Sequence, residues 1–183
     1  MAGPRMLVLI VGPSGAGKDT LLDAVRAALA DDPRFVFARR CITRPADAGG
    51  EAHEALSEAT FEARRAAGEF ALWWRAHGLF YGIPADIERD LAAGHVVIAS
   101  VSRSVIAQAA SRYAVRVVEI TAPKAVLAGR LAQRGREDAS GISQRLSRQV
   151  ELPEGVEAVR VMNDGSIEQG TARLLDAIRA VSG

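Results

Sequence analysis

Gly12-Pro13-Ser14-Gly15-Ala16-Gly17-Lys18 places glycines, a hydroxyl and a lysine at G-x-x-x-x-G-K spacing. Glycines let several backbone N–H groups converge on one anion, and a helix N-terminus behind them adds partial positive charge. A lysine at the last position can reach a phosphoryl group in transfer. The spacing therefore suits binding of a nucleotide polyphosphate, provided a strand precedes it and a helix follows. Asp19 follows where Ser or Thr normally ligates Mg²⁺, and Thr20 comes one residue later. A carboxylate there can meet Mg²⁺ directly or through water, at the cost of negative charge near the phosphates.

The flanking residues supply that context. Met6-Leu7-Val8-Leu9-Ile10-Val11 is a continuous apolar run, the pattern of a strand buried on both faces of a parallel sheet. The next helix, over Thr20 to Leu29, would set Leu21, Leu22, Val25, Ala28 and Leu29 on one face. Further strands are expected at Val96–Ala99, Val115–Ile120 and Val159–Met162. Helices are expected from Asp86 to Ala93, stopping at Gly94, and from Pro123 to Arg134. Asn163-Asp164-Gly165 reads as a turn, and Ser166 with Gln169 as a capping box for a final helix. Strands alternating with helices predict an α/β fold with right-handed crossovers. Two stretches break the alternation, Arg39 to Pro84 and Arg134 to Gly141, and such insertions often carry substrate binding or lids.

The 183 residues suit one domain, with 49% hydrophobic and 25% charged residues, which argues against disorder. A net charge of +1 and only nine aromatic residues (5 Phe, 2 Trp, 2 Tyr) give no reason to expect nucleic acid or a membrane as partner. The six-residue apolar run near the N-terminus falls short of the roughly 7–15 of a secretory signal core, and no stretch approaches the ~20 of a spanning helix. A cytoplasmic location is expected. Cys41 is the single cysteine and reads as packing. Lysine occurs only at Lys18 and Lys124, leaving 21 arginines among the 23 basic residues.

Four patches in order extend the reading beyond the phosphate loop. They are Gly12 to Asp19; Ile42-Thr43-Arg44-Pro45-Ala46 with Gly50-Glu51-Ala52-His53 and Ala55-Leu56-Ser57-Glu58; Ala76-His77-Gly78-Leu79-Phe80-Tyr81-Gly82-Ile83-Pro84; and Arg134-Gly135-Arg136-Glu137. On these the chain resembles the guanylate kinase-like group of P-loop kinases, and within it the ribose 1,5-bisphosphate phosphokinases of phosphonate breakdown. The Gly-Lys-Asp loop is typical of the latter. The resemblance implies an α/β P-loop NTPase fold with a parallel-sheet core (about 1–38, 85–133 and 142–183). It further implies an acceptor-binding insertion (about 39–84) and an arginine-rich lid (about 134–141).

It also implies ATP and Mg²⁺ as cofactors, ribose 1,5-bisphosphate as acceptor, and 5-phospho-α-D-ribose 1-diphosphate and ADP as products. Lys18, Arg134 and Arg145 would act on the transferred phosphoryl, and Gly12 to Thr20 would hold the nucleotide, with Asp19 on the metal. Arg44 and Tyr81 match acceptor-phosphate readers, and Arg40 is a relocated cation suited to an acceptor with phosphates at both ends. Leu72 and Ile83 stand where guanylate kinases read guanine with a carboxylate and a hydroxyl. Each unmet hydrogen bond there costs about 1–3 kcal/mol, so discrimination against GMP of a hundredfold or more is expected. Ser100 and Ser102 fall where those kinases carry carboxylates, and Asp19 is read as the substitute. Arg130 and Arg148 read as charged helix surface, Arg39 and Arg40 alternatively as a solvated pair, and His53 and His77 as structural. Trp73 and Trp74 read as core. The alternatives are a nucleoside monophosphate kinase and a non-catalytic binding module, although the latter typically loses its phosphate loop.

Overall fold

The computed structural model describes residues 5–48, 52–133 and 152–183. The four expected apolar runs form a five-stranded parallel sheet together with Phe35–Phe37, a short strand not expected from the sequence. Its strands are β1 (Met6–Val11), β2 (Phe35–Phe37), β7 (Val96–Ser100), β8 (Val115–Thr121) and β9 (Ala158–Met162), in the order β2-β7-β1-β8-β9. β1 lies centrally, which explains why its sequence is apolar at consecutive positions: each face covers a different core.

On one face, Val8, Ile10, Val118 and Ile120 pack against α1 (Lys18–Ala28) and α6 (Ile167–Val181). Leu21, Leu22, Val25 and Leu29 are buried there as expected, but Ala28 is exposed. The apolar stripe turns away at that position, and a methyl group loses little by remaining in water. Ser166 accepts from the Gln169 amide while the Gln169 side chain accepts from the Ser166 amide, so α6 begins with the expected capping box. α5 (Lys124–Gln133) starts just after Pro123, whose carbonyl accepts from Leu127.

On the other face, Leu7, Leu9, Val97 and Val117 share a core with Leu72, Trp74 and Ile83 of a second, smaller sheet. The irregular stretch from Arg39 to Pro84 builds that sheet from β3 (Cys41–Ile42), β4 (Glu54–Ala55), β5 (Phe70–Ala76) and β6 (Leu79–Pro84), in the order β4-β3-β6-β5. β5 and β6 form a hairpin whose turn residues His77 and Gly78 have φ of 52° and 74°. Both values are positive, as a two-residue turn matching the strand twist requires. α2 (Glu58–Ala66) is capped by Ser57 and buries Phe61 against Phe70 and Phe80. α3 (Ile87–Ala92) stops at Gly94, with φ 88°, before β7. A 3-10 turn (Arg103–Val105) leads into α4 (Ile106–Ala110) before β8. No helix among the described residues is long and apolar enough to cross a membrane.

Candidate active site

The phosphate loop sits where parallel-sheet geometry favours ligands, at the C-terminal end of the central strand. Gly15 and Gly17 have φ of 85° and 84°, a left-handed backbone that other residues enter only with strain. Gly17 is the N-cap of α1, and a Cβ there would also lie 2.6 Å from Asn163 Nδ2. Lys18 Nζ donates to the Gly12 carbonyl at 2.9 Å, which keeps the ammonium folded over the loop.

The loop is braced from behind. Asn163 Nδ2 donates to the Ala16 carbonyl at 2.7 Å, and Arg130 donates to the carbonyls of Gly15 (3.2 Å), Ala16 (3.4 Å) and Asn163 (2.8 Å). This corrects the reading of Arg130 as charged helix surface. Its guanidinium reaches inward from α5 to carbonyls more than a hundred residues earlier in the chain, a relation that helical periodicity does not reveal. Asn163, read only as a turn residue, is buried and belongs to the same brace.

A cleft of about 400 Å³ opens beside the loop. Gly12, Pro13, Ser14 and Lys18 line one side, and Arg40, Trp74, Ala76, His77 and Tyr81 of the smaller sheet and its approach line the other. Ser102, Arg103, Glu119 and Lys124 lie between them. Four cationic side chains (Lys18, Arg40, Arg103 and Lys124) thus face one carboxylate, a balance suited to polyanions. Arg103, Glu119 and Lys124 were not singled out as site residues. The only hint was the rarity of lysine: both lysines of the chain line this cleft.

Tyr81 stacks on Trp74 at 5.3 Å with the rings 6° from parallel, and Arg40 lies over Tyr81 at 5.6 Å. Trp74 is therefore both core and cleft wall. Arg40 also reaches within 3.9 Å of Asp19, and with its side chain 12% exposed it lines the cleft rather than forming a solvated surface pair. Arg39 donates to the His53 carbonyl, and buried His53 sits 2.9 Å from the Arg44 carbonyl through Nε2. His53 is thus structural, tying down the segment that carries Arg44. Arg44 itself does not line the cleft in this structure, and its Nε is buried without a hydrogen-bond partner.

Leu72 and Ile83 require a correction. They pair across β5 and β6, each has 0% exposure, and neither lines the cleft. Alternation puts them on the same face as Trp74 and Tyr81, but two residues deeper, where they pack against Leu7 and Leu9. The wall facing the cleft is the Trp74–Tyr81 pair, so exclusion of guanine by Leu72 and Ile83 does not stand.

Ala16 is buried beneath the loop, whereas Thr20 is exposed and Asp19 has a side chain 44% exposed; none of the three lines the cleft. Ser102 lines it, while Ser100 is buried in β7 and does not. Arg134 and Arg145 lie outside the described residues, as do Arg136 and Arg148. Among the described residues no group of three or more His, Cys, Asp or Glu is placed to hold a metal. The loop fits a nucleotide polyphosphate. For Mg²⁺, the carboxylates near the loop are Asp19, at the start of α1 beside Arg40, and Glu119 in the cleft lining. Such a site suits an ion held mainly by phosphates and water.

Cys41 is fully buried. Its thiol donates to Glu54 at 3.3 Å, and burial together with that carboxylate pushes its pKa up from 9.0 to about 12. It is a packing residue.

A phosphate loop on the central strand, facing a smaller sheet across a cationic cleft, defines a P-loop kinase of guanylate kinase-like fold. A guanylate kinase from Anaplasma phagocytophilum superposes over 100% of this chain and 88% of its own with a TM-score of 0.70, at 19% identity. A gluconokinase from Sinorhizobium meliloti gives a TM-score of 0.52 at 19% identity, over 99% of this chain and 94% of its own. No family model matches the sequence.

The curated relatives are more specific. A protein of Methylobacterium radiotolerans named ribose 1,5-bisphosphate phosphokinase PhnN is 50% identical over 179 residues, covering 97% of this chain and 99% of its own. The namesake in Agrobacterium fabrum is 46% identical over 97% of this chain and 98% of its own. A bifunctional ribose 1,5-bisphosphokinase-thymidine phosphorylase of Azorhizobium caulinodans is 52% identical over 97% of this chain, which spans 26% of that longer protein. The chain belongs to the ribose 1,5-bisphosphate phosphokinase family.

Proposed function

We propose that this protein transfers the γ-phosphoryl group of ATP to the C1 phosphate of ribose 1,5-bisphosphate, yielding 5-phospho-α-D-ribose 1-diphosphate and ADP. The observation that carries the reading is the common cleft. Lys18 and Gly12 to Ser14 open onto one side, and Arg40 and Tyr81 onto the other, in a chain half identical to a kinase of that name over 97% of its length. The reading does not depend on Leu72 and Ile83.

The attacking oxygen belongs to a phosphate already ionised at neutral pH, so no strong general base is required. As it bonds to the γ-phosphorus, the bond to the β–γ bridging oxygen breaks and ADP leaves with that electron pair. The residues supply position and charge. The loop N–H groups and Lys18 hold the nucleotide phosphates, while Arg40 and Tyr81 present the acceptor with Arg44 nearby. Arg134 and Arg145 are proposed to close over the transferred group. Mg²⁺ would neutralise charge on the nucleotide phosphates, with Asp19 beside it. Bringing the two sides together excludes water and so protects ATP from hydrolysis. The partners are small molecules, and the cytoplasm, where ATP is supplied, is the proposed compartment.

The test is a coupled assay of ADP release, with ribose 1,5-bisphosphate and GMP offered in parallel. Release with the bisphosphate and only background with GMP is expected. Preference for GMP would make the protein a nucleotide kinase, and release with neither would favour a binding module.

A further inference from the structure

Arg103 leaves the C-terminal end of β7 and donates to the carboxylate of Glu119 on β8. β1 runs between those two strands, and its last residue, Val11, is the register partner of Glu119. The ion pair therefore bridges the mouth of the strand that feeds the phosphate loop. Alternation along β8 fixes the side. Val117 packs into the core shared with the smaller sheet, whereas Val118 and Ile120 pack against the helices of the opposite face. Glu119, two residues beyond Val117, lies on the acceptor side.

A carboxylate only 8% exposed beside a phosphate loop repels the ligand unless cations surround it. Two do so. Arg103 lines the cleft with it, and Arg160, its register partner on β9, approaches Oε2 at 3.5 Å. Arg160 has a side chain 78% exposed, whereas Arg103 is largely buried, so Arg103 is the cation held in a defined orientation. A guanidinium has five N–H donors in a rigid fork, enough to serve a carboxylate and phosphate oxygens together. Arg103 from the turn after β7 and Arg40 from the approach to the smaller sheet face the same cleft. That arrangement complements a sugar carrying a phosphate at each end.

The geometry points to Arg103 as an acceptor-phosphate-binding residue and to Glu119 as the residue that positions it. This rests on the sugar bisphosphate reading above and deepens it. In the assay, KM for ribose 1,5-bisphosphate and for ATP are determined separately for wild type, Arg103→Ala, Arg103→Lys and Glu119→Gln. Equilibrium binding of ATP and thermal unfolding are measured alongside. Arg103→Ala should raise the acceptor KM roughly 10- to 100-fold while ATP affinity stays within about threefold. Arg103→Lys should restore only part of the loss, because an ammonium lacks the fork. Glu119→Gln should raise the acceptor KM with a smaller change in kcat. An unchanged acceptor KM in Arg103→Ala, or an equal loss of ATP affinity, overturns the assignment. Unfolding of both Arg103 variants also overturns it, since the pair would then be structural. Wild-type protein inert toward ribose 1,5-bisphosphate removes the functional reading itself, a different outcome from active wild type with an indifferent Arg103.

Discussion

The side-chain amide of Asn163 and the backbone carbonyl of Ala16 meet at 2.7 Å across 147 residues of sequence, and that bond holds the phosphate loop from beneath. Arg130 ties the same two segments together. Neither residue lines the cleft, so their effect on the nucleotide acts through loop shape.

Arg130→Met removes three backbone contacts and leaves buried carbonyls poorly satisfied, at a cost of about 1–3 kcal/mol. Unfolding should shift to lower temperature, and ATP affinity should weaken about tenfold or more. Calorimetric binding of ATP to the folded variant checks this; wild-type affinity would refute the brace.

Lys18→Ala should retain the fold, because the ammonium is only partly buried and its bond to the nearby Gly12 carbonyl spans six residues of one loop rather than joining distant elements. Turnover should fall a hundredfold or more, equivalent to about 3 kcal/mol at the transition state. Steady-state kcat with saturating acceptor is the measurement, and wild-type turnover would contradict the role of the loop.

Asp19→Ser restores the hydroxyl usual after a phosphate-loop lysine and removes the carboxylate beside Arg40. If Asp19 helps hold Mg²⁺, the concentration giving half-maximal rate should rise. A superimposable Mg²⁺ titration would remove Asp19 from the metal and leave it as the partner of Arg40.

Stability should decline in alkali. Burial, with a carboxylate neighbour, raises Cys41 from 9.0 and Tyr113 from 10.0, each to about 12. A folded-state pKa above the unfolded one means that the native chain keeps protons the unfolded chain gives up. The contribution is complete below pH 9 and disappears as pH climbs toward 12. Thermal midpoints measured from pH 8 to 11 should fall, and Cys41→Ala should flatten the slope above pH 9. At pH 8 the native thiol should resist a disulfide reagent that titrates it in denaturant.

Four of the five strands of the main sheet were legible as apolar runs such as Met6 to Val11, and the phosphate loop was legible because its chemistry is local; the edge strand β2, three half-buried residues long, was not. The smaller sheet was not, since β3 and β4 are two residues each and exist through pairing with distant partners. The resemblance placed Leu72 and Ile83 at the cleft, yet depth along a strand depends on what packs above it, and both lie in the core beneath Trp74 and Tyr81. Arg130, Asn163 and Glu119 stayed hidden for the same reason: their partners are remote in sequence.

The scarcity of lysine, which began as a compositional oddity, acquires a practical meaning from where the two lysines sit. Both ε-amino groups border the cleft, so a mild acylating reagent becomes a gauge of occupancy, with bound nucleotide shielding what the empty protein exposes. Attachment to a support through primary amines, by the same logic, would blind the very surface one wished to present.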